Sequence, residues 1–343
     1  MDYISLRKEV MDAGLLDRQY GYYLIKCIFN FGLLATGIIM LFTLPKLWFL
    51  FAIYFAFVYV QFAFLGHDIG HQQVFKSTVK NDIAGLIVGA LLLGVSRGYW
   101  VNKHNAHHSR PNELDADPDI EFPMVAFSEE HARNKRGIFK LMLKYQAFFF
   151  VPLWLFEGFS IRGSSIRYLL THKVEYQFID WLLVAVHLVG YPLIVFAALR
   201  PVQGVLFIII HQMLFGLYMS SVFAPNHKGM LLVEKKSKMD FLHLQITTAR
   251  NVKPGPLTDF WYGGLNYQIE HHLFPTMSRN RLRETQKIVV AFCKENRISY
   301  HQTSVIQSYR EILEFLHNIS LVVRQPKQTI NTKKSVVNSA GLS

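Results

Sequence analysis

Two hairpins of apolar sequence limit what this chain can become. Tyr22–Phe42 and Leu47–Leu65 are separated only by a turn at Leu44-Pro45-Lys46, and Phe178–Leu199 and Val202–Phe223 only by Arg200-Pro201. The hydrocarbon core of a bilayer is crossed by roughly 20 helical residues, and each of the four segments meets that length. Hydrophobic residues make up 51% of the 343, and 28 of them are Phe. That is too apolar for an ordinary soluble domain. The expected fold is an all-α integral membrane protein with four transmembrane helices.

Against this background the histidines stand in clusters. His104-Asn-Ala-His107-His108 places three imidazoles at i, i+3 and i+4, which is one face of a helix. Upstream, His67 and His71 are four apart; downstream, Gln268-Ile-Glu-His271-His272 supplies another pair. A largely apolar chain seldom concentrates ionisable side chains without use. Neutral imidazole is the commonest nitrogen ligand for transition metals, and these seven histidines exceed what one four-coordinate ion can take. A two-metal site is the simplest expectation. Asp68, Asp117, Asp119 and Glu270 lie between or after the clusters and are expected to accept N–H groups from ligating rings. For Asp115–Asp119 a solvated acidic loop is the open alternative. His187 and His211 lie inside spans and are expected to pair structurally, whereas His131, His172, His243, His301 and His317 show no ligand spacing.

The clusters also settle the topology. Ile83–Val95 is apolar but too short to cross, so it reads as re-entrant or interfacial. Gly137–Phe159 is rich in Phe and Leu yet carries Lys140, Lys144, Gln146, Pro152 and Glu157. If it crossed, the third histidine cluster would face the side opposite the first two; it is therefore expected to lie in the interface as an amphipathic helix. Both termini and all clusters then share one side. The two outer turns hold only Lys46 and Arg200, which makes the shared side cytoplasmic, in a bacterial inner membrane or the endoplasmic reticulum.

Residues 226–317 are expected to join 66–177 in a helical cytosolic cap, within a single domain spanning 1–323. Residues 1–21 read as a short polar, partly helical arm and 324–343 as a disordered tail. The net charge of +12 comes without a basic stripe or nucleic-acid motif, so it is assigned to loops beside anionic membrane lipid rather than to nucleic acid. Cys27 and Cys293 form no metal or redox spacing and are expected to be reduced. Met1–Gln19 has no apolar stretch of the kind a cleavable signal peptide needs.

GHDIGH (66–71), HNAHHSRPNELDADPDIE (104–121) and GGLNYQIEHHLFP (263–275), in this order, resemble the three histidine boxes of the membrane fatty acid desaturase and hydroxylase superfamily. Gln268, where many members have histidine, looks like the front-end and related acyl-lipid or acyl-CoA desaturases. The resemblance runs from about residue 50 to 290. It implies two irons held by His67, His71, His104, His107, His108, His271 and His272. His227 stands where related desaturases often add a ligand, and Gln268 binds through its carbonyl, holds a water, or does neither. The reaction implied is dioxygen-dependent acyl desaturation, in which two hydrogens leave adjacent carbons and two electrons come from outside.

Chemistry points the same way. An unactivated methylene has no acidic proton, oxygen at redox-active iron can break its C–H bond, and redox-inert zinc cannot. Trp100, Tyr262 and Asn266 sit beside boxes as candidate walls of an acyl tunnel, with plain aromatic packing as the alternative. Many front-end desaturases carry a fused cytochrome b5 domain marked by His-Pro-Gly-Gly, a motif missing from these residues. A separate donor is therefore expected: a ferredoxin, a free cytochrome b5 or a flavin reductase.

Three other readings compete. One is a lipid hydroxylase or ketolase on the same scaffold. A second is a zinc hydrolase built on His67-Asp68-x-x-His71, in which a zincin would want Glu as general base. The third is a metal transporter, whose ligands belong near the bilayer midplane rather than at span ends.

Overall fold

The computed structural model describes residues 2–324, so the expected tail from 325 onward lies outside the described residues. After α1 (Tyr3–Asp12), the first hairpin is α2 (Tyr20–Thr43) and α3 (Trp48–Gly70). Then come α4 (Thr78–Gly85), which continues as a π-helical turn over Leu86–Leu92, and α5 (Arg97–Ser109). Short helices α6 (Glu129–Asn134), α7 (Gly137–Leu143) and α8 (Gln146–Leu153) lead into α9 (Glu157–Thr171). The second hairpin is α10 (Gln177–Ala198) and α11 (Pro201–His227). The remainder is α12 (Phe241–Thr247), β1 (Asn251–Val252), α13 (Pro256–Trp261), α14 (Gln268–Leu273), α15 (Leu282–Glu295), β2 (Gln302–Thr303) and α16 (Val305–Arg324). The two strands form one short parallel pair; otherwise the fold is helical.

Four of these helices are long and apolar enough to cross a membrane, and they coincide with the four expected segments. The sequence-based limits 47–65 and 202–223 stop short, because α3 runs on through His67 to Gly70 and α11 through Phe223 to His227. The first histidine box is therefore the last turn of a span. Burial ranks the spans: 61% of the α3 window is buried against 17% for α2, which makes α3 the central helix and α2 an outer one. Leu24, Ile28 and Phe178 accordingly stand exposed, as lipid-facing side chains do.

The segment Thr78–Ser109, which holds the short apolar stretch 83–95, is sharply bent. The π turn ends at Leu93, the chain turns at Gly94 with φ +67°, and α5 leaves at 111° to α4. What fixes the start of α5 is Asp180, buried in the first turn of α10. Its carboxylate accepts from the backbone N–H of Arg97 (3.1 Å) and Gly98 (2.9 Å) and from the Ser96 hydroxyl (2.6 Å). A carboxylate at a helix N-terminus satisfies N–H groups that have no intrahelical partner. Arg97 also pairs with Asp82 of α4.

One expectation needs correction. Gly137–Phe159 is not one amphipathic helix but α7, α8 and a 3₁₀ turn running into α9, with a 100° bend after α7. Gln146 makes the corner: its side chain is buried, accepts from Ala126 N (2.9 Å), and donates to Ala126 O (3.2 Å) and Leu316 O (2.9 Å). Pro152, with no N–H of its own, then spoils the helical register before the 3₁₀ turn. The N-terminal arm is partly helical, as expected, and packs on the cap. Asp2 caps α1, and Leu6 and Val10 bury against the α15 layer. Tyr3 donates from its hydroxyl to Leu273 O (2.9 Å) at the third box.

Cysteines introduced at Phe75, Glu130, Asp240 and Val290, in a chain without Cys27 and Cys293, are expected to react with an impermeant maleimide from one side, and cysteines at Lys46 and Arg200 from the other. Position 130 labelling opposite to position 240 contradicts the four-span arrangement.

Candidate metal centre

Four elements bring eight imidazoles to one place. The end of α3 supplies His67 and His71, and α5 supplies His104, His107 and His108 from one face. His227 is the last residue of α11, and α14 presents His271 and His272. The ring nitrogens sort into two groups whose members lie within 4.8 Å of one another: His67, His71, His104 and His271 in one, His107, His227 and His272 in the other. His108 stands between them, with its Nε2 3.2 Å from His104 Nε2 and its ring stacked on His272 at 4.0 Å.

Hydrogen bonds on the outer edge of the second group fix where its lone pairs point. His227 Nδ1 donates to Thr248 O (2.9 Å), His272 Nδ1 to Gln245 Oε1 (2.8 Å), and His107 Nδ1 lies 3.0 Å from both oxygens of Asp117. Once Nδ1 carries the proton, Nε2 of a neutral imidazole is a bare acceptor. Yet His227 Nε2 and His272 Nε2 lie 3.0 Å apart. Two lone pairs at that distance repel unless a cation sits between them. Two nitrogens each about 2.1 Å from one metal and at right angles to each other are separated by roughly 3 Å. In the first group, His71 Nε2 and both nitrogens of His271 are buried with no partner among the described residues, as is Nδ1 of the intervening His108. Orphaned polar atoms of this kind call for an occupant. The residues fit a two-metal site.

Burial and mutual repulsion hold His104, His108, His271 and His272 well below the usual histidine range. They are therefore neutral, the form in which imidazole binds metal. Burial opposes the charge on Asp117, but His107 and Lys228 keep its carboxyl below the usual carboxylate range. Asp119 behaves the same way beside Lys103, whose ammonium it meets at 2.6 Å; it lies 3.7 Å from His107.

The other expected residues divide. Asp68 lies 3.5 Å from His67 Nδ1 but bonds at 2.5 Å to Arg279 Nε, so it is foremost a counter-ion, and it is not free to act as the general base of a hydrolase. Glu270 does not accept from a ligating ring. It takes hydrogen bonds from Asn251 (2.6 Å) and Tyr300 (2.8 Å), and its burial raises its pKa to about 7. Gln268 stands beside the second group but does not turn its carbonyl to it: its amide nitrogen lies 3.0 Å from His227 Nε2, and its Oε1 accepts from Asn226 (2.9 Å). Asp115 is exposed, beside His131 and Glu121.

Trp100 stacks on His104 at 4.4 Å and presses on Gly70, where a Cβ would meet the indole at 2.0 Å. The glycine of the first box thus makes room for the tryptophan. An apolar cavity of about 250 Å³ lies within the spans, lined by Leu34, Phe55, Tyr59, Phe62, His187 and Tyr191 among others. Trp100, Tyr262 and Asn266 do not line it. Tyr262 is buried near Tyr309, and Asn266 bonds to Asp259 (2.9 Å). Nδ1 of His187 bonds to Leu91 O (3.0 Å) and Nδ1 of His211 to the Tyr191 hydroxyl (2.6 Å), while Nε2 of His211 is buried without a partner among the described residues.

Sequence reasoning missed Gln245, Thr248 and Arg279, none of which carries a spacing signal. Gln245→Leu strips the acceptor from His272 Nδ1 and is expected to weaken metal binding 10- to 100-fold. A cobalt(II) titration of purified chain reads this directly, and an unchanged affinity contradicts it.

The family described as fatty acid desaturase matches residues 43–304. The chain is 34% identical to the Delta(6)-fatty-acid desaturase fat-3 of Caenorhabditis elegans, over 92% of this chain and 74% of that protein. It is 30% identical to the acyl-lipid (9-3)-desaturase of Physcomitrium patens (93% and 62%). To the Delta 8-(E)-sphingolipid desaturase of Emericella nidulans it is 28% identical (94% and 62%). A shared domain, four apolar helices and a histidine-built metal site agree, and the chain belongs to the fatty acid desaturase family of membrane oxidoreductases.

Proposed function

We propose that this chain is a dioxygen-dependent front-end acyl desaturase working with two irons at the cytoplasmic face of a membrane. The observation that carries the reading is the facing pair of imidazole lone pairs on His227 and His272, each tautomer set by a hydrogen bond on the far side of its ring. His67, His71, His104 and His271 are assigned to one ion, His107, His227 and His272 to the other, with His108 between and Gln268 beside the second. Bound iron supplies dioxygen activation, by which an acyl chain loses two hydrogens from adjacent carbons, two external electrons are taken up, and oxygen leaves as water.

The protein's own residues supply the rest. Thr248 O, Gln245 and Asp117 hold three rings by their Nδ1 edges. Trp100 covers His104, and Phe223 lies 6.3 Å from His67, so the site is walled by apolar surface that excludes water. The cavity of α2, α3, α10 and α11 suits a lipid or acyl-CoA tail. Phe62 in its wall is five residues before His67, roughly 7.5 Å along α3. Lys235, Lys236, Lys238, Lys253 and Arg283 stand exposed on the cap, a surface suited to an acidic electron donor such as a ferredoxin, a cytochrome b5 or a flavin reductase.

Lipid profiling of a host making the chain, with double bonds located by mass spectrometry, is expected to show a new double bond. His272→Ala is expected to abolish it while the protein stays in the membrane. A hydroxylated product in place of the alkene, or unchanged product from His272→Ala, overturns the proposal.

A further inference from the structure

The two histidine groups are held by different parts of the fold. Apart from the Gln268 amide 3.0 Å from His227 Nε2, the hydrogen bonds that orient the His107, His227 and His272 group come from the Asp117 loop, Gln245 and Thr248. The central helix α3 contributes to the other group alone, through His67 and His71. That group closes only if α3 is set correctly against α14, which carries His271 some 200 residues later in the chain.

A buried ion pair spans the seam between them. Arg279 donates from Nε to Asp68 Oδ2 (2.5 Å) and from Nη1 to Gly263 O (2.6 Å), and its guanidinium lies over the Phe64 ring at 5.4 Å. Asp68 is fully buried and Arg279 nearly so. The contact therefore joins both ends of the third-box segment, Gly263 and Arg279, to the helix that carries the first box. Weaker ties follow the same seam. Gln73 donates to Pro275 O (2.8 Å) and is itself held by the Tyr23 hydroxyl (2.8 Å); Arg18 reaches both Gln72 O and Thr276 O.

We propose that Arg279, acting through Asp68, is a positioning residue that sets the spacing between α3 and α14, and so governs metal occupancy of the His67, His71, His104 and His271 group without governing the other. The proposal rests on the two-metal reading above. The physical reason is tolerance. Metal–ligand distances must fall within about 0.2 Å of their ideal values, so an ångström of slack in the seam is enough to open one group. Removing one partner of a buried ion pair leaves an uncompensated charge, whereas neutralising both does not. The pair can therefore be probed without destroying the seam.

The test uses full-length protein purified from membranes: wild type, Arg279→Gln, and the double variant Asp68→Asn/Arg279→Gln. Metal per chain is counted after loading, and hydrogen exchange is followed on the metal-free proteins. Arg279→Gln is expected to keep one metal tightly and to bind the second at least tenfold more weakly, with most of that loss recovered in the double variant. Exchange is expected to rise over 66–73 and 263–281 and to stay unchanged over 241–250. Two metals bound as in wild type overturn the proposal, as does equal loss of both or exchange rising evenly across the chain. A wild type holding fewer than two metals removes the two-metal reading instead, and the exchange pattern of the metal-free chains then decides whether the seam depends on Arg279.

Discussion

Two imidazole nitrogens, each already committed to accept, face one another 3.0 Å apart in the interior of this protein. Much of the fold serves to impose that arrangement. His227 is delivered by the end of a span, and its ring is turned by the Thr248 carbonyl; His272 is delivered by a short helix and turned by Gln245. Imidazoles brought together in this way repel through their lone pairs, and their burial also denies them protons. A bound cation would relieve that repulsion, which is how a metal site couples to folding.

The spans explain why such a cluster can persist beside a lipid bilayer. Helices satisfy their own backbone groups in hydrocarbon, so α3 and α11 can run straight into the site and release histidines only at their last turns. The bent α4–α5 unit then sets the second box beside the first, with the Asp180 carboxylate of the second hairpin fixing the start of α5. The second hairpin is thereby tied to the second box.

Patterns that are local in sequence were legible. Four apolar runs of span length gave four helices, and histidine spacings of three and four gave one-faced sets. Even His227 could be placed, through the resemblance. What escaped was everything that depends on pairs distant in sequence. Arg279 and Asp68 are 211 residues apart, and His272 and Gln245 are 27 apart with β1 and α13 between them. The broken course of 137–171 was hidden for the same reason, since its corner is a glutamine that bonds to Ala126 and Leu316. Glu270 misled in the opposite way. Beside two histidines in sequence, it points away from them to Asn251 and Tyr300, because residues adjacent on a helix face different directions.

The central claim is that two separate ions occupy two separate histidine groups. Anomalous X-ray diffraction at the iron edge, from crystals of iron-loaded protein, tests it most directly. Two peaks are predicted, one among His67, His71, His104 and His271 and the other among His107, His227 and His272. A single peak, or iron at the exposed Asp115, Glu121 and His131 cluster instead, would contradict the account.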